Sequence, residues 1–136
     1  MISLRTSSRT AQMQAVITDA GATGAKIKLY NAGAIPANVT PATGNTLLAT
    51  GVWAAGPIGT AINGTIAYDA AGMTQTNSAH VAGVPTFAHL TTSADVVVAR
   101  VDICTGSNAP CWAFSGAIAP GQNMNLGGLV FTASNP

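Results

Sequence analysis

The sequence predicts a mainly all-β fold, an antiparallel β-sandwich or barrel preceded by one short N-terminal helix. Three observations carry this. Apolar and polar residues alternate with period two in several short segments, Gly, Pro, Asn and Asp recur as turn signals at intervals of about ten residues, and only one segment has helical spacing. A single helix cannot supply the crossovers that a parallel α/β sheet requires.

The helical segment comes first. Met13, Val16, Ile17 and Ala20 fall on one face at i, i+3, i+4 and i+7, with Ser7 or Ser8 available to cap the start and Gly21 to end it. Residues 1–24 therefore read as an arm with a short helix, and residues 25–136 as a single β domain. Ile27 and Leu29 then alternate with Lys26, Lys28 and Tyr30, the pattern of a half-buried strand. Residues 31–61 read as one strand, 46–52, between long loops punctuated by Pro41, Gly44, Gly56 and Pro57. Alternation resumes at Ile62, Gly64, Ile66 and Tyr68, read as one strand ending in the Asp69-Ala70-Ala71-Gly72 turn.

A further strand is expected over 84–91. The strongest runs over 95–104, with Val97, Ala99, Val101 and Ile103 on one face and Val96, Val98, Arg100 and Asp102 on the other. Trp112, Phe114 and Ile118 share a face in 111–118, and Ala119-Pro120-Gly121-Gln122 makes a turn. The last strand, 123–133, is interrupted by Gly127 and Gly128, a pair that suggests a bulge.

Charge is scarce. Of 136 residues five are Lys or Arg and four are Asp, with no Glu, so only 7% are charged. A soluble domain usually keeps roughly a quarter to a third of its surface charged. An exterior of Thr, Ser, Asn, Gln, Ala and Gly costs far less to desolvate than ions do, which suits permanent contacts within an assembly. The uncharged stretches 29–68 and 103–136 are broken by Gly, Pro, Asn and Thr, so neither reads as a membrane helix. The first residues lead into Thr10-Ala11-Gln12-Met13-Gln14 rather than an apolar run, so no secretory signal is expected. No basic cluster extends beyond Lys26 and Lys28, so direct nucleic-acid binding is not expected.

Reactive chemistry has few candidates. Cys104 and Cys111 bracket a loop containing Gly, Asn and Pro, read as a hairpin connection. A disulfide across it would contribute about 2–3 kcal/mol by loop closure and would form only outside a reducing cytosol; two free thiols are the equal alternative. Cys104, Cys111, His80 and His89 lack structural zinc spacing, and no metal or cofactor is expected. For nucleophilic catalysis, His80 or His89 would need orientation by Asp95 or Asp102, but no serine sits in an activating motif, and His89 reads as a solvent-facing or interface residue. An enzyme is not expected. Arg5 and Arg9 place positive charge at the start of the helix, where the helix itself disfavours it, and so become candidate partner contacts. Val96 and Val98 are candidates on the strongest strand, together with the polar loops of 31–61. Exposed Trp53 and Trp112 would support a carbohydrate-binding sandwich, and burial would argue against it.

The order of elements resembles a family. Leu4 to Ala11 followed by a short amphipathic helix, then Ile27-Lys28-Leu29-Tyr30-Asn31-Ala32-Gly33, is similar to the start of small virion structural proteins of tailed bacteriophages. Val84-Pro85-Thr86-Phe87-Ala88, the 96–103 strand, and Ala119-Pro120-Gly121-Gln122 leading to Leu129-Val130-Phe131-Thr132 resemble that group's final three strands. The Cys104 to Cys111 loop and residues 73–84 depart from the pattern. The resemblance implies a β-sandwich of jelly-roll type on the outer surface of the capsid. Its expected role is that of a cement or decoration protein that self-associates, as a dimer or trimer, and binds the major capsid protein after assembly in the host cytoplasm. A tail or baseplate adaptor is the alternative.

Overall fold

A computed structural model describes residues 4–31, 33–37, 39–75, 80–104, 112–113, 117–123 and 131–132. In chain order these form α1 (Thr6–Ala20), β1 (Ala25–Asn31), β2 (Thr46–Trp53), β3 (Gly59–Ile62), β4 (Thr65–Tyr68), β5 (Met73–Gln75), β6 (Phe87–Thr91), β7 (Val97–Cys104), β8 (Trp112–Ala113) and β9 (Phe131–Thr132). The protein is mainly β. A six-stranded sheet has the order β5-β2-β1-β6-β7-β8, and a three-stranded sheet the order β3-β4-β9. All pairings are antiparallel except β7 with β8.

Register divides the large sheet into two faces. Ile27 lies opposite Leu90 and Leu29 opposite Ala88, while Leu90 and Ala88 lie opposite Ala99 and Val101. These residues and Trp53 form the inner, apolar face. Lys26, Lys28 and Tyr30 lie opposite Thr91, His89 and Phe87 on the outer face, which continues on β7 as Arg100 and Asp102. The inner face packs with Met13, Ile17 and Ala20 of α1, with Ile66 of β4 and with Ile58. Each fully buried Ile, Leu or Met side chain contributes about 1.5–3 kcal/mol, and an alanine less.

Two irregularities change which side chains point inward. Between β1 and β2 the register slips after Leu29, leaving Leu48 without an opposite residue, and Leu48 and Ala49 are buried in succession. A second slip between β6 and β7 sets Leu90 opposite Ala99 but Thr91 opposite Val97, leaving Val98 unopposed. Val98 and Ala99 then both pack against the core, so the alternation read over 95–104 does not run straight through.

The segment read as one strand through Ile62, Gly64, Ile66 and Tyr68 is instead a hairpin. Asn63 and Gly64 both have positive φ, 51° and 78°, and form a two-residue turn between β3 and β4. Such a turn favours Asn-Gly and matches the twist of paired strands. The turn is fastened to the helix: the Gly64 amide donates to Thr10 Oγ1 at 2.8 Å, and that hydroxyl donates to Thr6 O at 2.9 Å. Arg5, with extended backbone and no capping side-chain bond, occupies the cap position in place of Ser7 or Ser8. Gly21 closes the far end, its amide reaching Ile17 O and Thr18 O.

The parallel pairing of β8, with Ile103 opposite Trp112, means that the Cys104 to Cys111 connection is not an antiparallel hairpin turn. The Cys104 side chain and Cys111 lie outside the described residues, as do Gly127 and Gly128.

Gly64→Ala is expected to destabilise the protein by about 1–2 kcal/mol, the cost of a left-handed conformation for a residue with a Cβ. A Cβ there would also meet the Arg9 Cβ at 3.0 Å. Urea unfolding at neutral pH checks this. Unchanged stability would remove the turn as the docking point of the helix.

Candidate functional site

Charges that are distant in sequence converge on the outer face of the large sheet. β1 supplies Lys26 and Lys28 at alternate positions, and β7 supplies Arg100 and Asp102 in the same way. β6 lies between them. The β6–β7 turn is held by Thr92, whose amide donates to Val96 O at 2.9 Å and whose hydroxyl accepts from the Val96 amide at 3.2 Å. Asp95 occupies this turn at φ 66°, a conformation that Asp tolerates.

Asp95 Oδ1 accepts from Lys26 Nζ at 2.7 Å and lies 2.9 Å from Lys28 Nζ. Hydrogen bonding from Lys26 and then Lys28 holds the Asp95 carboxyl below the usual carboxylate range. Arg100 faces Asp102, with Nε 3.0 Å from Oδ1 and Nη2 donating to Oδ2 at 3.4 Å, while Nη1 donates to the Pro36 carbonyl. The face carries three cations against two carboxylates, one positive charge in excess.

Beneath these charges lies an aromatic cluster. Tyr30 stacks on Phe87 with ring centroids 5.2 Å apart, and the His89 ring meets both edge-on at 5.5 and 5.1 Å. Phe87, His89 and Thr91 are almost wholly buried. The reading of His89 as a solvent-facing or interface residue is thereby corrected: it is 1% exposed. The reason is its strand, since β6 is paired on both sides and covered on both faces. Among the described residues His89 Nε2 has no hydrogen-bond partner. Burial first, then Arg100 and Lys28, holds the imidazole pKa below its ordinary value. Burial, and secondarily Asp95, raises that of the Tyr30 phenol.

Of the candidate contacts, Arg5 and Val96 are exposed, Val96 at 62%. Arg9 is half-buried against Gly64, and Val98 is half-buried against the core. His80 is buried with neither ring nitrogen partnered among the described residues, beside a cavity of about 510 Å³ that Leu47, Leu48 and Val81 help to line. Among the described residues, no group of three or more His, Cys, Asp or Glu side chains could hold a metal ion. Trp53 is fully buried, and its indole Nε1 donates to Asp69 O at 2.7 Å, so it offers no face to a sugar. The Trp112 side chain lies outside the described residues. No described helix is long and apolar enough to cross a membrane.

Sequence reasoning found the alternation of Lys26 with Lys28 and of Arg100 with Asp102, but not the Asp95 bridge or the burial of His89. Both depend on strand order. The chain matches no known family model, no characterised protein and no solved structure.

Asp95→Asn is expected to cost at most about 1 kcal/mol at neutral pH, because the carboxylate is exposed, and less in high salt. Its depressed pKa means that the contribution is held above about pH 4 and lost as the pH falls below that. The variant should therefore unfold with a shallower acid dependence, measured by urea titrations at pH 7 and pH 3. Equal acid dependence in the two proteins would show that Asp95 contributes nothing.

Proposed function

We propose that this chain is a non-enzymatic structural component of a tailed-phage virion, a capsid cement or decoration protein of jelly-roll sandwich type. It binds the major capsid protein lattice on the outer surface and associates with copies of itself as a dimer or trimer. The observation that carries this reading is the character of the exterior. Lys26, Lys28 and Arg100 are already paired with Asp95 and Asp102, while Ile35, Val39, Leu47, Ile62, Val81, Val84 and Val96 are exposed on a chain only 7% charged. Such a surface docks with little ionic desolvation, and apolar area buried at each joint contributes about 25 cal/mol per Å². Repeated over a shell, modest contacts of this kind stiffen the particle. The family resemblance of the N-terminal helix and final strands supports the same reading.

The purified protein is expected to bind intact particles or empty shells that lack it and to raise the temperature at which they disrupt. Sedimentation with shells and a thermal-release assay measure both effects. Failure to bind shells together with co-purification with tails would overturn the cement role in favour of a tail or baseplate adaptor.

A further inference from the structure

A buried histidine with a vacant hydrogen-bonding atom lies directly between two cations on the outer face, and one of those cations also holds a loop. His89 is opposite Lys28 on β1 and Arg100 on β7. Its own strand adds Phe87 and Thr91, both uncharged, and β1 adds Tyr30 and Lys26. The carboxylates within this group are committed elsewhere, Asp95 to Lys26 and Lys28, and Asp102 to Arg100. The loop is held at two points: Arg100 Nη1 donates to Pro36 O, and Asn45 Nδ2 donates to Ala34 O at 3.3 Å. Gly33, at φ 75°, turns the chain into it.

We propose that residues 33–37 form a strap, tied to the outer face through Arg100, that is released when His89 takes up a proton. A second positive charge on the buried ring would repel the Arg100 guanidinium that ties Pro36 and the Lys28 ammonium on the other side. The imidazolium also needs water or an acceptor at Nε2, which has none among the described residues. Breaking the tie relieves both costs, because Arg100 can then swing away from the ring and admit water beside it, and it frees the exposed Ile35 from the sheet. The six-stranded ladder need not break, because the backbone pairing of β6 with β1 and β7 does not involve these side chains. This inference is independent of the virion reading.

The sign follows from the ring's closed-state preference for neutrality. A hydrated imidazole ordinarily titrates near pH 6.5, so between pH 7.5 and pH 5.5 the opening equilibrium should rise, by at most about tenfold. Relaxation dispersion at the Ile35 and Ala37 amides of the full chain reads the open fraction, with Ile27 and Leu90 amides as ladder controls. The expected result is that rise at Ile35 and Ala37, no change at the controls, and no pH response in His89→Gln. Arg100→Gln gives a second arm, since losing the tie should leave the strap mobile already at pH 7.5. A flat response in the wild-type chain, the same response in His89→Gln, or a rigid strap in Arg100→Gln would each overturn the proposal.

Discussion

The structure depends on the double burial of β6. Five consecutive residues, Phe87–Thr91, are shielded on both faces and hydrogen-bonded along both edges. On the inner side this is ordinary core formation, with Ala88 and Leu90 joining one apolar cluster with residues of the helix, the hairpin and neighbouring strands. On the outer side the cover must come from polar material, because the adjacent positions on β1 and β7 are Lys26, Lys28, Arg100 and Asp102. Long cationic side chains do this by laying their methylene stems over apolar surface and keeping their charged ends in water. The side chains of Lys26 and Lys28 are only 24% and 17% exposed, as expected of stems used as a roof.

This arrangement reconciles a charge-poor sequence with a charged cluster. The few ions are spent where a buried aromatic and histidine layer needs a polar lid, and most of the remaining exterior is left neutral. A chain used in this way offers most of its surface to contact by shape and neutral hydrogen bonds, which is the property on which the proposed structural role rests.

Much of the framework was legible in the sequence. The helix face of Met13, Ile17 and Ala20, the first strand and the core of the strand through Arg100 follow from periodicity, because a half-buried element records its burial in its own residues. What failed was decided by partners elsewhere in the chain. Asn63-Gly64 carried a local hairpin signal that the alternation of Ile62, Gly64 and Ile66 masked; the turn in fact reverses the parity, pairing Ile62 with Thr65 and Ala61 with Ile66, so that Ile62 is exposed while Ile66 is buried. The slips at Leu48 and Val98 have no local signature, because a bulge is a mismatch between two strands. The burial of His89 required knowing that β6 lies between the two strands bearing cations. The convergence of Asp95 on both lysines follows from the same order.

The clasp between Thr10 and Gly64 constrains the order of assembly. A 15-residue helix without a side-chain cap and with no acidic residue in its first turn is marginal in water on its own. Its stability must come from packing on the β3–β4 hairpin, whose turn lies 54 residues further along the chain. During synthesis the helix therefore emerges before the hairpin it packs on and is fixed only after it. Until the hairpin follows, Met13 and Ile17 stand uncovered, so the interval between making residue 20 and closing the turn at residue 64 is when the nascent chain is most exposed to wrong contacts.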